Sequence, residues 1–276
     1  MNPHVQPSVS PLGLARSLWS HRALIVSLTR REVAGRYKGS FFGVFWSLLS
    51  PLLMLTVFTF VFGEIFQARW GGGEATGRLD FAAALFAGLL IYNFFSECLG
   101  RAPQIILSNP NYVKKVIFPL EILSIIAVNA ALFHLLVACV VLAVLVFFSG
   151  WTLGIDVLYV PLILLPFVLF VLGVTWFIAA LGVFLRDVAQ IIAPALTAML
   201  FLSPVFYPLS SVPPKMAWLF LINPVTFIIE QVRAVMLLHQ TPDVSGLLIY
   251  TCIGVASAWL GYVFFQKTRK GFADVL

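Results

Sequence analysis

The residues able to do acid–base, nucleophilic or metal chemistry are few in this 276-residue chain, and they are widely separated. Its four histidines are His4, His21, His134 and His239. None lies at the i, i+4 spacing from another histidine or a cysteine that would let one helix face hold a metal ion. The sequence therefore predicts no metal site, no catalytic residue and no cofactor bound by this chain.

Three titratable residues nevertheless lie in or beside apolar stretches: Glu97, Glu121 and His134. For His134 we expect a hydrogen bond that packs one helix against a neighbour. We expect the two carboxylates to pair with nearby basic residues, namely Arg101, Lys114 or Lys115. A proton relay is the alternative role for them.

The three cysteines are far apart within apolar runs, at Cys98, Cys139 and Cys252. An odd count without metal-ligand spacing indicates neither a disulfide framework nor a metal site. We interpret them as small packing residues.

One segment imitates a phosphate-binding loop. Residues 261–268, GYVFFQKT, follow the pattern G-x-x-x-x-G-K-[ST] except at Gln266, where the second glycine should stand. The segment also ends an apolar stretch instead of following a strand, so no backbone cradle for phosphate can form. We expect no ATPase site in this chain, and any uphill transport would need energy from a partner.

The composition sets the class of protein. Hydrophobic residues make up 61% of the chain and charged residues only 10%, against roughly 25% charged in soluble domains. Such a chain cannot cover its surface with polar groups, which predicts an all-α integral membrane protein. The net charge of +6 is better explained by basic cytoplasmic loops than by nucleic-acid binding.

Charge-free intervals locate the membrane helices. They cover residues 41–63, 81–96, 122–155, 157–185, 188–214, 216–229 and 244–266. The interval 216–229 is short and contains Asn223-Pro224 at its centre, which favours a re-entrant hairpin over a crossing. The sequence thus predicts six spans, with an outer hairpin at about 209–240 before the last span.

Six spans place both termini in the cytoplasm of a multi-pass protein of the inner membrane. Of the 17 basic residues, this topology leaves only Arg69, Arg78, Lys215 and Arg233 on the outer side, as the positive-inside rule requires. Residues 1–40 then form a cytoplasmic N-terminus with an amphipathic interface helix, and residues 41–276 form the six-span transmembrane domain.

The loop between spans two and three, RAPQIILSNPNYVKK, looks built for docking. Pro103 can open a short helix, and Asn109-Pro110 can end it. We expect Ile105, Ile106 and Leu107 to be exposed as an apolar knob that enters a groove on another protein. A helix resting on lipid headgroups is the alternative.

Residues 30–51, RREVAGRYKGSFFGVFWSLLSP, join a basic segment directly to an apolar one. The basic residues Arg30, Arg31, Arg36 and Lys38 are expected at the cytoplasmic headgroup level, where they fix orientation. Small residues recur every fourth position, at Gly35, Gly39, Gly43 and Ser47. That spacing predicts one small helix face that can meet another helix closely.

Five motifs then occur in one order: RREVAGRYKGSFFGVFWSLLSPLL, SNPNYVKKVIFPLE, FLRDVAQI, SPVFYPLSSVP and LINPVTFIIEQVR. Together they resemble the membrane subunit of bacterial ABC exporters for surface polysaccharides such as O-antigen, capsule and teichoic acid. These subunits are type-2 ABC permeases. The resemblance covers about residues 25–265.

This resemblance implies a homodimer, with each subunit docked on a separate ATPase subunit that binds ATP and magnesium. It implies that the N-terminal helix, at about 12–29, contacts that ATPase together with Gln104, Ile105, Ile106, Leu107, Ser108 and Asn109. The implied substrate is a lipid-linked polysaccharide, and spans one and five are implied to face the dimer axis.

Within that framework, aromatic residues are candidates to line the polymer's path, because ring faces can stack on sugars. The candidates are Phe58, Phe62, Phe66, Phe201, Phe206 and Tyr207. Helix packing or lipid contact is the alternative for such residues. The four basic residues at positions 30–38 could also attract the pyrophosphate of a lipid-linked glycan.

Two other functions remain open at this stage. The first is the same class of permease with another cargo, such as teichoic acid, a drug or a simple lipid. The second is a membrane-embedded glycan enzyme, which would need large outer loops with convergent His, Asp or Arg residues. The outer loops here are short and nearly empty of such residues.

Overall fold

The computed structural model describes residues 10–65, 78–114, 118–148 and 154–275. Every regular element in these ranges is a helix, which confirms the predicted all-α membrane class. The α-helices are α1 (Pro11–Ser20), α2 (Arg22–Tyr37), α3 (Trp46–Phe58), α4 (Arg78–Arg101), α5 (Pro110–Lys114), α6 (Glu121–Phe148), α7 (Val160–Phe184), α8 (Val188–Phe201), α9 (Ala217–Ile222), α10 (Pro224–Met236), α11 (Val244–Thr268) and α12 (Phe272–Val275).

The N-terminal helix is divided in two. Ser10 caps α1 by accepting a 3.0 Å hydrogen bond from the Gly13 amide, and Pro11 occupies the first helical turn, where a missing N–H costs nothing. A break at His21 then separates α1 from α2. Helix α2 packs along α6, so the segment joins the bundle instead of standing apart from it.

The predicted small helix face does not form. Helix α2 ends at Tyr37, and Gly39 and Gly43 have φ angles of 85° and 52°. In this left-handed region glycine is favoured because it has no Cβ. The glycines therefore turn the chain between α2 and α3, and they do not continue one helix into the other.

Within the described residues, five helical segments are long and apolar enough to cross a membrane: Gly43–Val61, Phe81–Gln104, Glu121–Phe147, Asp156–Phe184 and Val244–Val275. A sixth is possible where Pro214–Ile222 and Pro224–Met236 meet at an angle of 97°. The bend falls at the predicted Asn223-Pro224 break, within the limits expected for the outer hairpin. Five or six candidate spans agree with a multi-pass membrane protein.

The predicted fifth span covers residues 188–214. In the structure, the α-helix at its start covers only Val188–Phe201. Its 14 residues cover about 21 Å, less than the roughly 30 Å of a hydrocarbon core. Turns around Pro204 and Pro208 follow the helix. Proline cannot continue the hydrogen-bond ladder of a helix. The length predicted for this helix from the apolar interval alone was therefore too great.

The packed centre of the bundle is α4, because 83% of an 18-residue apolar stretch of this candidate span is buried. Helix α7 packs on α4 and, on another side, packs closely against α11. A Cβ placed on Gly261 would lie 2.0 Å from the Gly173 carbonyl oxygen. This approach is possible only because both positions lack side chains, as is typical of helix pairs in membranes.

Helices α3 and α8 are much less buried than α4. The buried residues of α3 are Ser47 and Leu55, and that of α8 is Val188. Much of their remaining surface is apolar and exposed in the single chain.

Of the cysteines predicted to be packing residues, Cys98 is buried as expected. Cys252 on α11 is exposed in the single chain, so the prediction that it packs inside the subunit is wrong.

Candidate functional site

Three of the six predicted path-lining aromatics meet where α3 and α8 end. The ring centroids of Phe58 and Phe206 are 5.7 Å apart, and those of Phe201 and Phe206 are 6.0 Å apart. Phe201 keeps 61% of its surface exposed. The side chain of Phe62 and the whole of Phe66 lie outside the described part of the chain, so the proposed stripe along span one stays a prediction.

Tyr207 belongs to the same end of the bundle. Its hydroxyl donates to the Phe201 carbonyl, and its ring lies edge-on to Phe220 of α9, with centroids 6.0 Å apart. The aromatic cluster is thus continuous with the bent pair α9–α10. Within this cluster, Tyr207 is the residue that contacts α9.

Asn223 ties the bend of the hairpin to the end of α8. Its amide nitrogen donates to the Leu202 carbonyl at 3.1 Å and to Ser203 Oγ at 2.8 Å. Its side-chain oxygen accepts from the Val225 amide at 3.0 Å and so caps α10. One side chain therefore starts a helix and anchors the turn that follows another helix.

Arg233 of α10 is buried, with 3% exposure, and it donates to three backbone carbonyls. The acceptors are Ala84 of α4 at 2.9 Å, Pro204 at 2.5 Å and Val205 at 2.9 Å. Glu230 supplies a carboxylate 3.2 Å away. The guanidinium thus binds α10 to α4 and to the irregular segment after α8.

Sequence reasoning counted Arg233 only as an outer basic residue and missed this role. The available signal was a charged residue inside an otherwise apolar stretch, which membrane proteins keep only where it has partners. A second signal lay on α4. A Cβ on Gly88 would lie 2.6 Å from Arg233 Nη2, so the glycine makes room for the guanidinium.

At the other end of the bundle, the Glu97 carboxylate of α4 contacts side chains from two helices, α2 and α6. Arg36 Nη1 lies 2.7 Å from its carboxylate and His134 Nδ1 lies 3.0 Å away. The Tyr37 hydroxyl and His134 Nε2 are 3.0 Å apart. Partial burial raises the pKa of the Tyr37 phenol, and the neighbouring Arg36 charge opposes that rise.

The helix-packing hydrogen bond predicted for His134 is confirmed, but the prediction that Arg101 pairs with one of the two carboxylates is wrong. Glu97 bonds to Arg36 and His134, whereas Arg101 pairs with Glu32 of α2. The reason is the length of α2, which runs along α6 and carries its own charged residues to these positions. Lys115 lies outside the described ranges.

Glu121, at the start of α6, links three other parts of the chain. It pairs with Arg269 after α11 at 3.1 Å and accepts from Ser17 of α1 at 3.3 Å. The Trp176 indole of α7 donates to the Glu121 backbone carbonyl at 3.0 Å. With 4% exposure, this residue joins the first helix to the core of the bundle.

The predicted apolar docking knob is not exposed. Ile106 is fully buried and Ile105 is 8% exposed, while the exposed positions of this segment are Gln104 and Ser108. The single turn Ala102–Gln104 packs on α7, where a Cβ on Gly182 would lie 2.7 Å from the Pro103 carbonyl oxygen. The segment anchors itself through its isoleucines and presents its polar side outward.

The four basic residues predicted at the headgroup level divide into two pairs. Arg36 is bound to Glu97, and Arg31 donates to the Tyr112 hydroxyl at 3.1 Å. Arg30 and Lys38 are exposed, and within the described ranges their side chains make no hydrogen bond or ion pair. The side chains of the second pair can therefore meet a large ligand without breaking an existing contact.

Comparison with known proteins places this arrangement in a family. The sequence pattern of the ABC-2 type transporter family matches residues 23–237. The chain belongs to the ABC-2 type transporter family. The matched region runs from α2 through α10, so the ABC-2 type transporter domain contains both the ion pairs of Glu97 and the aromatic cluster around Phe206.

Individual relatives extend the likeness over nearly the whole chain. The "O-antigen export system permease protein RfbA" of Myxococcus xanthus is 29% identical over 264 residues, covering 95% of this chain and 98% of the relative. Two proteins of the same name from Klebsiella pneumoniae are each 24% identical over 254 residues, covering 92% of this chain and 95% of each relative. All three are permease subunits, which agrees with the expectation that this ABC-2 type protein carries no ATPase site of its own.

Proposed function

We propose that this chain is the transmembrane subunit of an ATP-driven exporter that moves a lipid-linked, O-antigen-like polysaccharide across the bacterial inner membrane. The observation that carries the proposal is end-to-end similarity to three O-antigen export permeases. The similarity extends over 92–95% of the chain. In this proposal both termini lie in the cytoplasm.

The proposal needs a separate ATPase subunit, which would bind ATP and magnesium. Two copies of the permease and two ATPase subunits would form the exporter. Support for a homodimer comes from α3 and α8, which are apolar and largely unburied in one chain. Support for an ATPase contact comes from the outward polar side of the segment 104–109 beside α2.

The proposed path follows the faces of α3 and α8. Phe58, Phe201 and Phe206 would supply ring faces on which sugar C–H groups can stack without a fixed register. A polymer that must slide needs many weak contacts, because one tight site would hold it in place. Arg30 and Lys38 would attract the pyrophosphate end, since Arg31 and Arg36 already have partners.

Deletion and complementation of this gene in its native host test the proposal. Without the permease, surface polysaccharide should disappear and lipid-linked glycan should accumulate on the cytoplasmic side. The wild-type chain should restore export, and an F201A/F206A variant should restore about a tenth of it, if two ring stacks of about 0.5–1.5 kcal/mol each are lost. Normal surface polysaccharide in the deletion strain would contradict the proposal.

A charge test separates the two pairs of basic residues. A R30E/K38E variant should lower export more than tenfold, since reversing two charges removes attraction worth about 1 kcal/mol per residue and adds repulsion. Binding of the ATPase subunit, measured by co-purification, should not change. Unchanged export in that variant would show that these residues only set orientation.

A further inference from the structure

A cavity of about 330 Å³ lies between the interface helix and the bundle. Its walls come from α2, the end of α4, the segment 104–109, α5 and α6. None of its lining residues belongs to α3 or α8, so it is separate from the proposed polymer path. A ligand in this cavity would be a resident of the permease and not a part of the cargo in transit.

The polar rim of the cavity is suited to an anion. It contains Arg31 and Arg101 but only one carboxylate, Glu32, which is already paired with Arg101. Arg31 uses one nitrogen for the Tyr112 hydroxyl, and a guanidinium has five N–H donors. Two guanidinium groups beside one carboxylate leave one net positive charge to be balanced.

The floor of the cavity is apolar. Leu28 comes from α2, and Leu123, Ile126 and Ala127 come from the first two turns of α6, a candidate span. A small soluble anion would gain nothing from this surface, whereas a lipid can place its phosphate at the arginines and its acyl chain on the floor. The cavity also lies at the cytoplasmic end of the bundle in the proposed topology, where anionic lipids face the protein.

We propose that this cavity binds the phosphate headgroup of an anionic membrane phospholipid, held by Arg31 and Arg101. The lipid would bridge α2 and the segment 104–109 and keep their spacing fixed. Lipid binding itself does not depend on the identity of the cargo. Only its consequence, a lipid requirement for contact with the ATPase, rests on the proposed function.

Native mass spectrometry of the purified full-length chain tests the site directly, without ATPase or cargo. The protein is taken from nanodiscs of phosphatidylglycerol or of phosphatidylcholine, and the retained lipids are counted. We expect retained phosphatidylglycerol on the wild type and about fivefold less on R31Q, the effect of one basic residue at an anionic surface. R31K should keep most of the lipid because it keeps the charge.

The matched control is R30Q, which removes the same charge from the next residue of the same helix but outside the cavity. It should retain phosphatidylglycerol like the wild type. Equal losses in R30Q and R31Q, equal losses in R31K and R31Q, or equal retention of phosphatidylcholine would overturn the site. Displacement of the lipid by millimolar inorganic phosphate would show that the cavity takes a free anion instead and would also overturn it.

A protein ligand would give a different pattern. If R31Q left lipid retention unchanged but weakened co-purification of the ATPase subunit, the cavity would receive an acidic side chain of that partner, and the lipid proposal would be wrong. Failure of polysaccharide export in the deletion test, by contrast, would leave the lipid count unaffected. The two proposals can therefore fail independently.

Discussion

Single charged side chains hold together parts of this bundle that apolar packing alone would leave loose. In a membrane, helices gain little hydrophobic energy from one another, because lipid chains are as apolar as leucine. Arg233 and Glu121 are both buried, and each connects segments that are distant in sequence. Their partners are backbone carbonyls and single side chains, which fix position as well as supply energy.

Arg233 gives the clearest test at this scale. R233A removes hydrogen bonds to three carbonyls from a charged donor, so we expect a loss of roughly 2–5 kcal/mol in stability. R233K keeps the charge but loses the fork geometry, and its stability should lie between those of R233A and the wild type. Thermal unfolding of the detergent-purified protein measures both effects.

The matched control for this prediction is R186A, which removes an exposed arginine from the turn before α8. Its melting temperature should remain within the error of the wild type. A melting temperature of R233A equal to that of R186A would mean that the three carbonyl contacts contribute nothing to stability.

At the scale of elements, charge-free intervals predicted the helices well, because burying a charge in lipid is costly and such charges are rare within spans. The bend at Asn223-Pro224 was predictable for a local reason, since proline cannot continue a helix. The exposure of Ile105 and Ile106 was predicted wrongly. Their burial depends on α7, where Gly182 leaves space for the Pro103 backbone, and one segment of sequence does not contain that information.

The site was less predictable than the fold for the same reason. Which aromatics meet, and which arginine pairs with Glu97, depends on the path of the chain through Gly39 and Gly43, and their spacing had indicated a continuous helix. The contact of Phe58 with Phe206 joins residues that are far apart in sequence. The sequence indicated which aromatic and basic residues were candidates for the site. Which of them contact one another depends on tertiary packing.

The packing of α7 on α11 gives a prediction about helix pairs. G261A places a Cβ 2.0 Å from the Gly173 carbonyl oxygen, which forces the two helices apart. We expect a loss of at least roughly 1–3 kcal/mol, as for other overpacked interiors, measured as a lower melting temperature and a lower yield of monodisperse protein.

G35A is the control for that prediction, because a Cβ on Gly35 of α2 meets nothing within 4 Å. Alanine is favoured over glycine within a helix by roughly 1 kcal/mol, so G35A should be neutral or slightly stabilising. If both variants melted at the wild-type temperature, the close approach of α7 and α11 would not be a requirement of the fold.

At the scale of the whole molecule, the distribution of exposed apolar surface distinguishes the helices. Helix α4 is enclosed, and α7 and α11 cover each other, while α3 and α8 leave most of their surface uncovered and carry the exposed aromatic Phe201. If two copies meet through α3 and α8, residues on α8 of the two copies should approach each other across the symmetry axis.

Cysteine cross-linking tests this arrangement in native membranes. In T197C, an exposed position of α8 receives a thiol, and oxidation should give a covalent dimer. The wild-type protein is its own control, because Cys252 on α11 is exposed as well and should face lipid in the proposed dimer. Wild-type membranes should therefore give monomer under the same conditions, and a T197C band that remains monomeric would place α8 away from the dimer axis.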